Sequence, residues 1–247
     1  MLWYKTWRES RIRFFLSFGV WAILCVNLIN RARTGFPPPE RPDLPYSAWV
    51  WGNIYGNMNP TIFIILVMIL GLGGLQRERP VGTAAFTLSL PVSRMRLLAV
   101  RAITGLVQIG ALAFTPALLI PTLSPLIAHQ SYAETQALQF GVLFLTWGSI
   151  AYSVGFLWSS LFGGEFTGTA LCVISPVVYR VLLGSTTTFQ NYPAFNYATF
   201  MSGLPFIQSL VKVLIDKPLP LATFLTLAFI AASFIACAVR ITQKQDF

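Results

Sequence analysis

The chain has 247 residues, of which 55% are hydrophobic and only 10% charged, and it carries a formal net charge of +9. Soluble domains hold about a quarter charged residues. This composition, with a mean hydropathy of +0.66, excludes an ordinary soluble domain and points to an all-α integral membrane bundle. The basic residues sit at the ends of apolar runs, as topology signals do, and not along a solvated face. No nucleic-acid partner is expected.

Residues 1–13 alternate Trp3, Tyr4 and Trp7 with Lys5, Arg8, Arg11 and Arg13. As a helix this segment is amphipathic, aromatic and basic; it suits the headgroup layer, and equally an ordinary basic flank of the first span. Crossing about 30 Å of hydrocarbon takes roughly 20 apolar residues. Six runs qualify as spans, at about 14–30, 56–75, 97–127, 138–162, 166–183 and 219–239. The first ends in Asn30-Arg31-Ala32-Arg33 without a cleavage pattern, so it reads as a retained span. The third is over-long and contains Pro116, Pro121 and Pro125, which predicts a kink or break towards its far end. The fourth and fifth are separated by Gly163-Gly164-Glu165 alone, a tight hairpin.

The Lys/Arg bias gives an orientation. The N-terminus, the 76–101 region and the C-terminal tail hold more basic residues than the opposite side, where Arg31, Arg33, Arg41, Arg180, Lys212 and Lys217 fall. Both termini are therefore expected on the cytoplasmic face. Segment 34–59 is then external, its prolines forbidding a regular helix, with Trp49, Trp51 and Tyr55 as an interfacial belt. Segment 184–218 is external yet apolar and interrupted by Pro193, Gly203 and Pro205, which suits short re-entrant helices.

Much familiar chemistry is missing from the pattern. Cys25, Cys172 and Cys237 lie singly inside apolar runs, which suits packing and not a disulfide framework or zinc site. The one histidine, His129, falls at a helix end. There is no Gly-rich nucleotide loop and no metalloprotease motif. The spans hold almost no acids or histidines of the kind that ion-coupled transporters use. No metal site and no catalytic residue is expected, and any energy source must be external to the chain.

One stretch stands apart: Gly73-Gly74-Leu75-Gln76-Arg77-Glu78-Arg79-Pro80-Val81-Gly82-Thr83, followed by Leu88-Ser89-Leu90-Pro91-Val92-Ser93-Arg94. This pattern of G-x-L-x-x-E-R-x-x-G-T, then L-P-V-S-R and a long apolar helix, resembles the permease subunit of an ABC-2-type transporter. The motif covers about twenty residues. The family's architecture of about six spans, an interfacial N-terminal helix and re-entrant helices between spans five and six matches the chain's whole layout. Where such families often carry Lys after the second motif, this chain has Arg101.

The resemblance implies a subunit of the cell (inner) membrane of a bacterial-type cell that dimerises, with itself or with a second permease. It would be driven by two separate ATPase subunits that hold the ATP and Mg, with no cofactor bound by this chain. It implies a cytoplasmic coupling loop over 76–96, in which Gln76, Arg77, Glu78, Arg79, Gly82, Thr83, Pro91 and Arg94 meet the ATPase. A charged elbow there offers directional salt bridges, and Gly82 permits close approach of a partner backbone. Arg94, Arg96 and Arg101 read equally well as anchors on the anionic leaflet. Glu165 is either a second ATPase contact or a hairpin-turn residue. A translocation path along spans two and five would run past Asn57, Asn59 and Thr61, and past Thr167, Thr169 and Ser175. Each of those is also ordinary polar glue between helices in lipid. The alternative from another class is a membrane anchor that recruits a cytoplasmic partner and transports nothing.

Overall fold

The computed structural model describes residues 2–38, 42, 46–55, 59–72, 93–162, 165–185 and 221–244. Among them the chain is entirely helical, with no strand. Helix α1 runs Leu2–Gly35, α2 Tyr46–Val50 (continued by a π turn, Trp51–Tyr55) and α3 Asn59–Gly71. Then come α4 Arg94–Ile127, α5 Glu134–Leu161, α6 Glu165–Ser185 and α7 Leu221–Lys244.

Four of these helices, α1, α4, α5 and α7, are long and apolar enough to cross a membrane. Helix α3 has 13 residues, about 20 Å at 1.5 Å per residue. The apolar part of α6 is Thr167–Val178, also short of a full span. Each expected span thus meets a helix, but two fall below spanning length among the described residues.

Helix α5 is the hub, packed against α3, α4, α6 and α7, while α1 lies on α4 and α3. A stripe of glycines seven residues apart explains how the neighbours come so close. A Cβ on Gly141 would meet the Phe114 ring of α4 at 2.7 Å, and one on Gly148 would meet Ile109 at 2.8 Å. On Gly155 it would lie 2.5 Å from the Met68 carbonyl oxygen of α3. Across that contact, Gly71 of α3 faces the Tyr152 carbonyl and the Phe156 amide at 2.8 Å. Without water to drive helices together, membrane bundles depend on such close approach for dispersion contacts. A seven-residue repeat keeps the seam on one face of a helix.

Above that crossing, Trp21 of α1 packs on Phe63 of α3 and Phe144 of α5, with ring centroids 5.3 and 5.8 Å apart. Tyr55 stacks on Phe140 at 4.3 Å. The faces away from this core carry Ile12, Phe15, Leu16 and Ile23 on α1, and Leu225 and Phe229 on α7, all exposed. Exposed Trp3, Tyr4 and Trp7 precede the α1 stripe, where amphipathic rings suit a membrane surface.

Three expectations need revision. Helix α1 is unbroken from Leu2 to Gly35, so the interfacial segment and the first span form one rod. Nothing between them breaks a helix, since residues 2–18 contain neither Gly nor Pro. Helix α4 likewise continues through Pro116, Pro121 and Pro125 without a break. Inside a bundle, neighbouring groups satisfy the carbonyls that proline frees. Thirdly, segment 34–59 is helical from Tyr46, just past its last proline, and two of its aromatics are not an exposed belt. Trp49 is 9% exposed and Tyr55 fully buried, because large rings gain more from core packing than from an interface.

At the end of the bundle where α1 finishes, Tyr46 stacks on Trp49 and meets Phe36 edge-on. Its hydroxyl shares a 2.8 Å hydrogen bond with Ser124 Oγ of α4. Tyr132, in the α4–α5 turn, lies edge-on to Tyr46, but its buried hydroxyl has no hydrogen-bond partner among the described residues. Burial raises the pKa of both hydroxyls above the ordinary tyrosine value, the Ser124 bond partly offsetting this for Tyr46. A raised folded-state pKa leaves its stabilisation intact below the unfolded value of about 10 and removes it as pH climbs through the folded one. Tyr46→Phe should therefore cost about 1 kcal/mol and Tyr132→Phe should be neutral or stabilising. Both should soften unfolding above about pH 10. Thermal melts of the two variants in detergent at neutral and alkaline pH check this.

Candidate coupling site at the end of helix α3

Helix α3 ends at Gly71, and the chain then enters the charged segment. A helix terminus leaves its last carbonyls without intrahelical donors, and two arginines from other helices take them. Arg13 of α1 donates from Nη1 to the Leu72 carbonyl and, at 3.4 Å, to that of Ile69. Arg101 of α4 donates from Nη2 to the Gly71 carbonyl at 3.0 Å. Cations at a helix C-terminus also complement its dipole, each by about 0.3–1 kcal/mol at the surface and up to about 2 when partly buried.

Arg101 is itself held. The Arg101 guanidinium lies 5.1 Å from the centre of the Phe156 ring of α5, a cation–π contact. Tyr152 of α5 donates its hydroxyl to the Arg101 carbonyl at 3.2 Å. One turn and two turns further along α4, Gly105 makes room for the Tyr152 ring and Gln108 donates to Ser10 Oγ of α1 at 2.7 Å. Ser10 in turn donates to the Thr6 carbonyl at 3.0 Å. Arg101, Thr104, Gly105 and Gln108 follow i, i+3, i+4, i+7 spacing, so one face of α4 forms a polar seam against α1 and α5. A cleft of about 20 Å³ runs between Glu9, Ser10, Arg13, Arg101 and Gln108, room for about one water molecule.

The cap joins α1, α3, α4 and α5 at one end. Arg13, Leu72, Arg101 and Tyr152 meet there, and a Cβ on Gly168 of α6 would come within 3.2 Å of the Leu72 side chain.

Of the residues picked from sequence, Asn57, Gln76, Arg77, Glu78, Arg79, Gly82, Thr83 and Pro91 lie outside the described residues, as does most of the external stretch 184–218. Arg94 opens α4, behind Ser93, whose hydroxyl accepts from the Arg96 amide at 3.3 Å. Two arginines in a first turn with no acid oppose the helix dipole; their placement does not serve α4 itself. Glu165 is the first residue of α6.

Of the polar residues picked in spans two and five, five lie among the described residues. Thr61 is buried within the chain, and the half-buried Asn59 donates to the Asn53 carbonyl. Ser175 donates to the Met68 sulfur of α3 at 3.8 Å. Thr167 and Thr169 lie on the exposed side of α6. Gln108 and Tyr152 are not marked by the sequence pattern, and Arg13 enters there only as one basic residue of the N-terminal segment. The helical spacing of Arg101, Thr104, Gly105 and Gln108 in an otherwise apolar run was the available signal.

The fold and the capped terminus define a membrane-type helical bundle with a polar, arginine-braced end. No family model matches the chain, and neither a curated protein nor a solved structure matches it.

Proposed function

We propose that the chain is the permease subunit of an ABC-2-type transporter. In this reading it has six spans, dimerises to form the translocation path, and is driven by two separate ATPase subunits that bind ATP and Mg. The carrying observation is the double-arginine cap on α3, because it ties the charged segment beginning at residue 73 to four helices of the bundle. A coupling element needs that attachment. Glu78, Arg79, Gly82 and Thr83 would dock on the ATPase, and closure of the two ATPases would push the α3 terminus.

The charge pattern supports the same orientation. Lys5, Arg8, Arg11, Arg13, Arg96 and Arg101 belong to the capped end and Arg31 and Arg33 to the other, which by the positive-inside rule makes the capped end and the N-terminus cytoplasmic. Close packing of α3 on α6, through Leu72 with Gly168 and Met68 with Ser175, supports joint movement of spans two and five. Export is the direction the resemblance implies.

The second reading, a membrane anchor that recruits a cytoplasmic partner, shares the docking segment but needs no coupling to the bundle. ATP turnover by the partner ATPase in vesicles, with and without this chain, separates the two. The permease reading expects severalfold stimulation that Arg101→Gln abolishes; unchanged turnover in a stable complex favours the anchor.

A further inference from the structure

Between α1 and α4, at the end opposite the arginine cap, lies an open groove of about 760 Å³. One wall is a single face of α1: Ile23 and Val26, then Asn27 and Asn30, then Arg33. The other is Leu126 and Ile127 at the end of α4, followed by His129. His129 has φ 53°, the left-handed conformation that turns the chain off a helix, and it lines the groove just beyond the end of α4.

The α1 face grades from hydrocarbon through amide to cation over ten residues, about 15 Å of helix, which is the depth of about one leaflet. Asn27 and Asn30 are exposed, on a helix whose neighbouring exposed residues are Ile23 and Val26. An amide facing lipid is costly unless something there accepts or donates a hydrogen bond. The gradient matches one class of molecule, with acyl chains against Ile23, Val26 and Leu126, polar ester groups at the asparagine level, and a negative charge at Arg33.

We infer that this groove binds one anionic phospholipid of the leaflet in which α1 ends, its acyl chains along Ile23 and Val26 and its phosphate on Arg33, with Asn27, Asn30 and His129 supplying the remaining hydrogen bonds. This site is independent of the coupling segment and of which side of the membrane is cytoplasmic. Arg33 is the selective element, because a zwitterionic headgroup sets its own ammonium beside the phosphate whereas an anionic one leaves that charge to the guanidinium, and the asparagines hold features shared by both lipids.

The full chain, delipidated in detergent and given equal phosphatidylglycerol and phosphatidylcholine of the same acyl composition, tests the assignment by native mass spectrometry. Wild type should retain one phosphatidylglycerol in about tenfold preference. Arg33→Gln should abolish that preference, whereas Arg31→Gln, two positions earlier and outside the groove, should preserve it. Asn30→Leu should lower retention of both lipids, and its apolar side chain suits an exposed helix face in lipid should Arg33→Gln fail to fold. Equal retention by wild type, or an unchanged preference in Arg33→Gln together with undiminished retention in Asn30→Leu, overturns the proposal. Effective competition by glycerol 3-phosphate, a headgroup without chains, would also overturn it by reassigning the groove to a free phosphate ester.

Discussion

Gly155→Ala is expected to destabilise the bundle by roughly 3 kcal/mol, lowering Tm in detergent by about 10 °C. The added Cβ would sit 2.5 Å from the Met68 carbonyl oxygen and 3.1 Å from the Met68 Cα. These are backbone atoms of a helix held at the same crossing by Gly71, so no side-chain rotation can relieve the clash. The α3–α5 pair must move apart, and the dispersion contacts around Met68 and Phe156 are lost with it. Gly110→Ala is the control. Its Cβ would meet nothing within 4 Å, so it should keep or raise Tm through helix propensity, by up to about 1 kcal/mol. Thermal unfolding of the two variants side by side separates a packing effect from a general intolerance of alanine.

The second large effect concerns the arginine cap. Arg13→Gln with Arg101→Gln should cost about 2 kcal/mol in stability, since each removes a cation from a helix terminus and charge-assisted bonds to its carbonyls. The functional loss should be greater than the structural one. If the α3 terminus is pushed by a partner, a loosened cap dissipates the motion, and ATP hydrolysis should continue while its stimulation by the membrane subunit disappears. Arg101→Lys separates the two effects. Lysine keeps the charge but lacks the planar group that both stacks on Phe156 and reaches the Gly71 carbonyl. It should restore most of the stability and only part of the coupling. A cap that served stability alone would instead show activity tracking Tm across the three variants.

Much of the helical layout is legible in the sequence because apolar length is a one-dimensional property. The runs at 97–127 and 138–162 become α4 and α5 nearly residue for residue. What composition does not distinguish is an aromatic at a membrane surface from one in a core. Tyr55 and Trp49 have interfacial chemistry and interfacial sequence neighbours, yet they pack against Phe140 and Tyr46. Proline content misleads in α4 for a related reason, since the penalty depends on which neighbours receive the freed carbonyls.

The candidate site divides differently. Its charged segment announces itself through Glu78, Arg79, Gly82 and Thr83. Its foundation does not, because Arg13 and Arg101 enter a charge count as topology signals and acquire a specific role only once folding brings them to the same helix end. The Gly141, Gly148 and Gly155 stripe stands in plain view at a spacing of seven, but its partners Phe114, Ile109 and Met68 lie on two other helices. Spacing marks the seam; only the fold says what fills it.

Pull-down of the tagged chain from its native membrane, comparing wild type with Glu78→Arg, tests the central claim most directly. The account predicts that an ATP-binding-cassette ATPase co-purifies with wild type and is lost from Glu78→Arg, while the variant's own yield and Tm stay unchanged. Recovery of the ATPase in equal amount with Glu78→Arg, or of no such ATPase with wild type, would contradict it.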